Sequence, residues 1–428
     1  MNTLTRIKLS AMMFLEFFIW GAWFVTLGTF LFNNLKATEL ETASVFSTQS
    51  FGAIIAPFII GLIADKYFNA ERILGLLHLL GAVLMYQMYT ADNVGDFYPY
   101  VLTYMIAYMP TLALVNSVSF RQMSNPEKEF STIRVWGTIG WIVAGLSISY
   151  LFHWDSADGI QGGMLRNTFM MAGIASLILG VYSFMLPKTP PIKQEGRSSS
   201  VSEILGLDAI KLLQNRNFLI FFISSILICI PLAFYYQNAN PFLTDIGLEN
   251  PTGKMTIGQI SEVLFLLLLP VFFTRFGFKK TILVGMGAWA LRYLLFAYGN
   301  ADDLAFMLIL GIALHGICYD FFFVSGQIYT DARAGEKYKS SAQGLVTLAT
   351  YGVGMLIGFW VAGFISEYYR AADTENFWQS VWLVPAGIAA VVALLFTLFF
   401  KDEKVAANAS TDKPYGAETE RQELTSLP

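Results

Sequence analysis

Charge is what this sequence has least of. Only 14% of its 428 residues are Asp, Glu, Lys or Arg, where a soluble domain carries about 25%. With 55% hydrophobic residues and a mean hydropathy of +0.54, a soluble chain would expose too much apolar surface to stay in solution. Cysteine and histidine are also scarce. Cys229 and Cys318 lie within apolar runs and form neither a disulfide framework nor a ligand pattern, so they read as small buried hydrophobes. Three scattered histidines, His78, His153 and His315, offer no metal cluster and no base beside a nucleophile. These absences exclude an enzyme and leave no sign of a metal or cofactor. A net charge of −4 without basic clusters excludes a nucleic-acid partner, and no sizeable soluble domain exists to signal. The basic start, MNTLTRIKLS, lacks a small-residue cleavage site before the apolar run ends near Phe32. It reads as a retained first span rather than a signal peptide.

What the chain does have is apolar blocks of roughly 20 residues, the length that crosses a bilayer's hydrocarbon core. The pattern predicts twelve spans, near 10–32, 43–64, 73–91, 98–120, 134–153, 166–187, 217–241, 255–274, 281–299, 303–328, 341–368 and 377–400. Each must be helical, since an open strand in lipid would leave backbone groups unpaired. The expectation is an all-α membrane protein. Of 27 Lys and Arg, only Lys36, Arg166, Lys254 and Arg370 fall in loops on one side, with Arg134 and Arg292 inside spans. The positive-inside rule therefore places both termini in the cytoplasm.

The longest hydrophilic break, Pro190 to Asn217, divides the spans six plus six. It begins as a flexible linker with Pro190-Pro191 and Ser198-Ser199-Ser200. Ser200 and Glu203 then have capping-box spacing, and Leu205, Ile210 and Leu213 follow as an amphipathic stretch expected along the membrane surface. The domain reading is thus 1–187 for an N-terminal bundle, 188–216 for a cytoplasmic linker with an amphipathic helix, 217–400 for a C-terminal bundle and 401–428 for a disordered tail. Loops after spans 2 and 8, Gly61-Leu-Ile-Ala-Asp65-Lys66 and Arg275-Phe-Gly277-Phe-Lys279-Lys280, occupy equivalent places in the two halves. The first resembles the Gly-x-x-x-Asp-Arg/Lys signature of major facilitator superfamily transporters. That resemblance implies the superfamily's 6+6 architecture, with halves related by a pseudo-twofold.

Ionisable groups at bilayer depth are costly and usually face a cavity or each other. Glu16, Arg134, Glu262, Arg292, His315 and Asp320 fall within the spans. Helical spacing gives each its company. Glu16 shares a face with Trp20 and Trp23; Arg134 with Thr138 and Trp141; Glu262 with Gln259. In span 7, Ala233, Gln237 and Asn240 line one stripe with Tyr236 beside it. Asp320 lies beside Tyr319 and in line with Gln327, and span 11 offers Gln343, Thr347 and Thr350. Aromatic rings stack on flat heterocycles, and amides hydrogen-bond ring edges and sugar hydroxyls. The implied ligand is planar at one end and polyhydroxylated at the other. Any single amide or hydroxyl equally serves to tie helices together. Glu262 and Asp320 read as proton-coupling groups. Glu16 reads either as a third or as a neutral hydrogen-bond anchor, Arg134 as a substrate or ion-pair partner or a snorkelling side chain, and Arg292 and His315 as structural. His78 and His153 carry no signal. Pro57, Pro110, Pro231, Pro241, Pro270 and Pro385 are expected to kink their helices.

Several segments are more specific. Trp20-Gly-Ala-Trp23, Tyr108-Met-Pro-Thr111, Ile133-Arg-Val-Trp-Gly-Thr-Ile-Gly-Trp141, Leu205-Gly-Leu-Asp208, Gly258-Gln-Ile-Ser-Glu262, Tyr319-Asp-Phe-Phe322 and Ser341-Ala-Gln-Gly344 resemble the nucleoside:proton symporter family of that superfamily. The likeness runs from about Lys8 to Phe400. It implies import of purine and pyrimidine nucleosides with protons, by a monomer in the cytoplasmic membrane with lipid as its other partner. It also carries the family's binding positions onto Arg134, Thr138, Gln259, Glu262 and Asp320, with an aromatic position at Trp141. The base would stack on Trp141 or Tyr319, while Gln259, Arg134 and Asn240 hold ribose and base heteroatoms. Ala233 and Tyr236 stand where the best-known members present Gln and Asn, with Gln237, Asn238 and Asn240 as neighbouring substitutes, and Glu16 replaces an amide. These departures resemble a less characterised branch of the bacterial nucleoside permeases. A major facilitator sugar or other small-metabolite proton symporter is the alternative, because paired amides and aromatics suit sugars too.

Overall fold

Three of the long helices begin the same way, on an asparagine whose side chain accepts from the backbone three residues on. Asn2 accepts from Thr5, Asn93 from Asp96 at 2.9 Å and Asn215 from Phe218 at 3.0 Å. Each cap satisfies a donor that the first turn of a helix leaves free. In the computed structural model, which describes residues 1–59, 68–124, 126–190, 207–372 and 376–401, all regular structure is helical. Among the described residues, ten helices are long and apolar enough to cross a membrane. One of them, Pro251–Tyr298, is 48 residues long and turns at Gly277 (φ 75°, ψ 173°), where the sequence expects the loop between two spans. That backbone geometry is open to glycine and strained for other residues. Just beyond it, Lys279 Nζ donates to the carbonyls of Thr397 (2.9 Å) and Phe400 (2.6 Å), closing the end of helix Phe377–Phe399.

The helices pack in two groups. In the first, Thr3–Trp23 lies against Pro126–Leu146, Glu39–Ile59 against Val94–Arg121, and Ala70–Thr90 against Asn167–Ser183. In the second, Pro251–Tyr298 packs on His315–Tyr319 and Phe377–Phe399, and Arg216–Asp245 on Met355–Ala372. The groups meet where Met355–Ala372 touches Glu39–Ile59, Pro251–Tyr298 touches Pro126–Leu146, and Arg216–Asp245 touches Leu27–Asn33. Outward faces stay greasy, with Leu267 and Leu398 among many exposed apolar side chains, as a lipid solvent requires.

Some expectations shift. Pro57, Pro110, Pro231, Pro241, Pro270 and Pro385 all lie inside continuous helices. Register changes that the sequence pattern did not show come from π turns at Ser147–Leu151, Asp320–Val324 and Leu348–Gly354. The expected amphipathic stretch is a 3-10 segment, Leu207–Gln214, whose Ala209 is buried in a small cluster with Ala334, Ala342 and Leu345. The Gly61–Lys66 motif, the Ser200/Glu203 cap with Leu205, and the tail beyond residue 401 lie outside the described residues.

The two groups are tied together at the end poor in basic residues. Thr29 Oγ1 donates to Asn240 Oδ1 at 2.6 Å, and Arg370 Nε pairs with Glu39 Oε1 at 2.5 Å. Helix Pro251–Tyr298 starts on Asn250, whose side chain makes no cap hydrogen bond. The cap comes from the other group: the Thr252 N–H donates to Asp155 Oδ2 at 3.0 Å and the Gly253 N–H to Ser149 Oγ at 2.7 Å. Ser149 in turn donates to Asp155 at 2.5 Å. One carboxylate thus serves the free donors and positive end of a helix in the opposite group.

Asp155→Ala leaves the Thr252 N–H and the Ser149 hydroxyl without their acceptor, a cost to the closed arrangement of about 1–3 kcal/mol. Because Cys229 and Cys318 are free and buried, a cysteine placed at Gln259 reports opening at this end. Asp155→Ala is expected to raise its labelling by an impermeant maleimide added outside. Unchanged labelling would remove the trans-cap as a latch.

Candidate functional site

Behind this closed end lies a cavity of about 30 Å³, lined by Phe24, Trp141, Tyr236, Thr252, Met255 and Gln259 among others. It has room for about one water molecule. Its walls are an aromatic relay: Trp20 meets Trp141 edge-on at 5.5 Å and Tyr108 at 5.8 Å, and Phe24 meets Tyr236 at 5.8 Å. Each such pair adds about 0.5–1.5 kcal/mol beyond burial. Tyr236 and Gln259 are only half-buried, so the aromatic faces remain available.

Deeper along the same helices lie the charged groups. Arg134, on Pro126–Leu146, sets its guanidinium 4.0 Å from the Phe17 ring centroid. It faces Glu262, on the opposite helix group, closely enough for their charges to interact. Glu262 is partly open, with 27% side-chain exposure. Asp320 is buried, has an Oδ2 without a hydrogen-bond partner, and lies within the field of Glu262. Tyr319 OH is hydrogen-bonded to Tyr351 OH, and both side chains lie near enough to Arg134 to interact with its charge. Thr138 is half-buried, one helical turn from Arg134. The structure therefore brings together Arg134, Thr138, Trp141, Tyr236, Gln259, Glu262, Tyr319 and Asp320.

Three expected residues stand apart. Asn240 is engaged in closure: it accepts from Thr29 and donates to Thr252 Oγ1 at 3.1 Å. Gln237 is buried with neither amide atom paired. Glu16 is fully enclosed in the first helix group. Its Oε2 lies 2.8 Å from His78 Nε2, its Oε1 accepts from Thr111 at 2.6 Å, and its backbone carbonyl accepts from Tyr108 OH at 2.7 Å. His78 Nδ1 continues to Ser176 Oγ at 3.1 Å. Sequence reasoning missed His78 because its partner is 62 residues away. It missed Tyr351 because the π turn at Leu348–Gly354 rotates the face on which Thr347 and Thr350 were expected. An aromatic neighbour to the Thr350 stripe was the only available signal.

Comparison with known proteins extends along the whole fold. A family profile described as "Nucleoside H+ symporter" matches residues 1–405. YegT of Escherichia coli (strain K12) is 41% identical over 93% of this chain and 94% of its own length. The nucleoside permease NupG of the same strain is 32% identical over 95% and 98%. The crystal structure of the nucleoside transporter NupG superposes with a TM-score of 0.82 at 31% identity, covering 94% of this chain and 100% of that one.

Leaving a buried donor without its acceptor costs about 1–3 kcal/mol, and Glu16→Ala does this to His78 and Thr111 together, so it is expected to lower the melting temperature of detergent-solubilised protein sharply. Glu16→Gln, which keeps an acceptor for Thr111, should lower it much less. Equal losses would mean the Glu16–His78 cluster is not a hydrogen-bonded anchor.

Proposed function

Because the chain belongs to the nucleoside H+ symporter family, and so is a multi-pass inner-membrane protein importing nucleosides with protons, we propose that both are handled in the chamber between its helix groups. The observation that carries this reading is Arg134 of one group facing Glu262 of the other, beneath an aromatic wall and a closed end. A group that binds only when both halves contribute is what rocking about a central site requires.

Dividing Pro251–Tyr298 at Gly277 and adding Pro126–Leu146 brings the ten apolar helices to the twelve expected spans. The halves are 1–187 and 217–400, joined through 188–216, with both termini cytoplasmic by the distribution of Lys and Arg. On that orientation the latched end is extracellular, and this structure is closed to the outside. Each copy holds a whole chamber, so the working unit is a monomer.

The base of a purine or pyrimidine nucleoside stacks on Trp141 or Tyr319, with Tyr236 closing over it. Gln259, Thr138 and Arg134 hold ribose and base heteroatoms. Asn240 exchanges its Thr29 bond for substrate when the outer end opens, and Gln237, unpaired here, gains a partner in the same movement. Glu262 or Asp320 takes a proton from outside, which removes buried charge and favours loading; after closure the nucleoside leaves inward, then the proton. Coupling requires that the protonated, loaded carrier cross readily while the protonated, empty one does not. Glu16 supports this from the first helix group, holding in place the helix that carries Trp20.

Proteoliposomes carrying Asp320→Asn or Glu262→Gln test the carboxylates. At least one variant is expected to lose accumulation driven by a pH gradient while still exchanging nucleoside across the membrane; wild-type accumulation in both would defeat the mechanism. Uptake by a transport-deficient cell should be inhibited by unlabelled uridine and inosine and by an uncoupler, and be indifferent to a hexose.

A further inference from the structure

Arg292 is fully buried in a helix of the second group, and among the described residues no carboxylate lies within ion-pairing distance of it. Its Nη1 sits 3.1 Å from His315 Nδ1, and its guanidinium carbon lies 3.5 Å from the Tyr235 ring centroid. Nε and Nη2 have no partner. Arginine cannot shed its proton, and an unbalanced buried charge costs several kcal/mol. The Tyr235 face recovers part of that cost. The rest calls for a negative charge nearby.

That charge is on the far side of the imidazole. His315 Nε2 is 3.9 Å from Glu262 Oε2. Guanidinium N–H groups only donate, so His315 Nδ1 must accept from Arg292 and Nε2 must carry the ring proton. That nitrogen is the one nearest the Glu262 carboxylate, at a distance beyond a direct hydrogen bond. The ring is held in this orientation by stacking on Tyr235, at 5.6 Å and 24°. The backbone is held too: the Gly316 N–H donates to Ser261 Oγ at 3.1 Å, and Ser261 Oγ donates to the Ala313 carbonyl. A Cβ on Gly316 would fall 2.5 Å from the Ser261 backbone, so only glycine allows this approach. Ser261 and Gly316 are the chain neighbours of Glu262 and His315.

We propose that Arg292, acting through a neutral His315, is the fixed countercharge of Glu262, and that both are positioning residues for proton coupling. This rests on the reading of Glu262 as a proton carrier. The groups facing Glu262 are Arg134 from the first helix group and Tyr236, Tyr319, Asp320 and His315 from its own. Arg134 changes its distance from Glu262 when the halves rock. The Arg292–His315 arm lies in the same helix group as Glu262, so it moves with Glu262 and stays beside it throughout the cycle. The carboxylate left when the proton departs to water therefore always meets one invariant positive charge and one variable one, and only the second reports the conformation. The imidazole itself neither gains nor loses a proton.

The test uses full-length protein in liposomes and compares nucleoside exchange at equal pH, which needs no net proton movement, with accumulation driven by a pH gradient. Arg292→Met and His315→Leu are expected to keep exchange within about twofold and lose accumulation by about tenfold or more. His315→Gln should recover accumulation, since its carboxamide oxygen accepts from Arg292 and its N–H group donates to Glu262. Wild-type accumulation in Arg292→Met overturns the proposal, as does a parallel fall of exchange and accumulation. If Arg292→Met does not reach the membrane, the His315 pair decides: a Gln variant no better than Leu overturns the neutral relay. Separately, full accumulation in Glu262→Gln would defeat the parent reading of Glu262.

Discussion

The cost of charge in a medium of low dielectric constant organises this molecule. Among the described residues, most ionisable side chains placed deep in the helices have a companion, and Asp320, whose Oδ2 has none, is the exception. Glu16 has His78 and Thr111, Arg134 has the Phe17 ring and Glu262, and Arg292 has Tyr235 and His315. The companions fall into two kinds. Glu16 and Arg292 find theirs within one helix group, so those contacts persist as long as the group stays folded. Arg134 and Glu262 lie on opposite groups, each within the other's field. An interaction of that kind can be strengthened and weakened by moving two rigid bodies, and it is the kind a transporter uses.

Closure at the latched end follows a related economy. The latch consists of a few hydrogen bonds and one ion pair: Asp155 and Ser149 on the start of helix Pro251–Tyr298, Thr29 on Asn240, and Glu39 on Arg370. Each contributes modestly, about 0.5–1.5 kcal/mol for an ordinary hydrogen bond, and each involves groups that water can satisfy once the halves part. Such a seal holds against leak and still opens within reach of substrate binding energy. An apolar interface of the same area would need a greasy surface exposed to water in the open state. The aromatic cluster around Trp20, Trp141 and Tyr236 sits just beneath and narrows the passage to a cavity of about 30 Å³.

The helical membrane class was legible in the chain because it depends on local composition, and the family because segments such as Ile133–Trp141 and Gly258–Glu262 resemble it. Runs of apolar residues set helix length, the loops' Lys and Arg set the proposed orientation, and Arg134, Glu262 and Asp320 stood out because charge within such runs is rare. Face assignments were less secure. A period of 3.6 places Gln237 and Asn240 on the Ala233 stripe, yet Ala233 packs against Gly358, Asn240 ties the latch, and Tyr236 lines the cavity. In the Thr347–Tyr351 segment a π turn adds a residue to the count, so Tyr351 and not Thr350 meets Tyr319. Helical period is a property of neighbours along the chain, and a π turn breaks it.

The sequence by itself determined that this is a helical membrane carrier of the nucleoside:proton symporter family, since transfer of side chains from water to lipid depends on residue type and run length alone. Which buried group answers which was decided only by the tertiary structure. His78 and Glu16 are 62 residues apart, Thr29 and Asn240 are 211 apart, and Arg292 and His315 are 23 apart on different helices. Electrostatic and hydrogen-bonding energies depend on distance and direction in space, and no spacing along the chain encodes either.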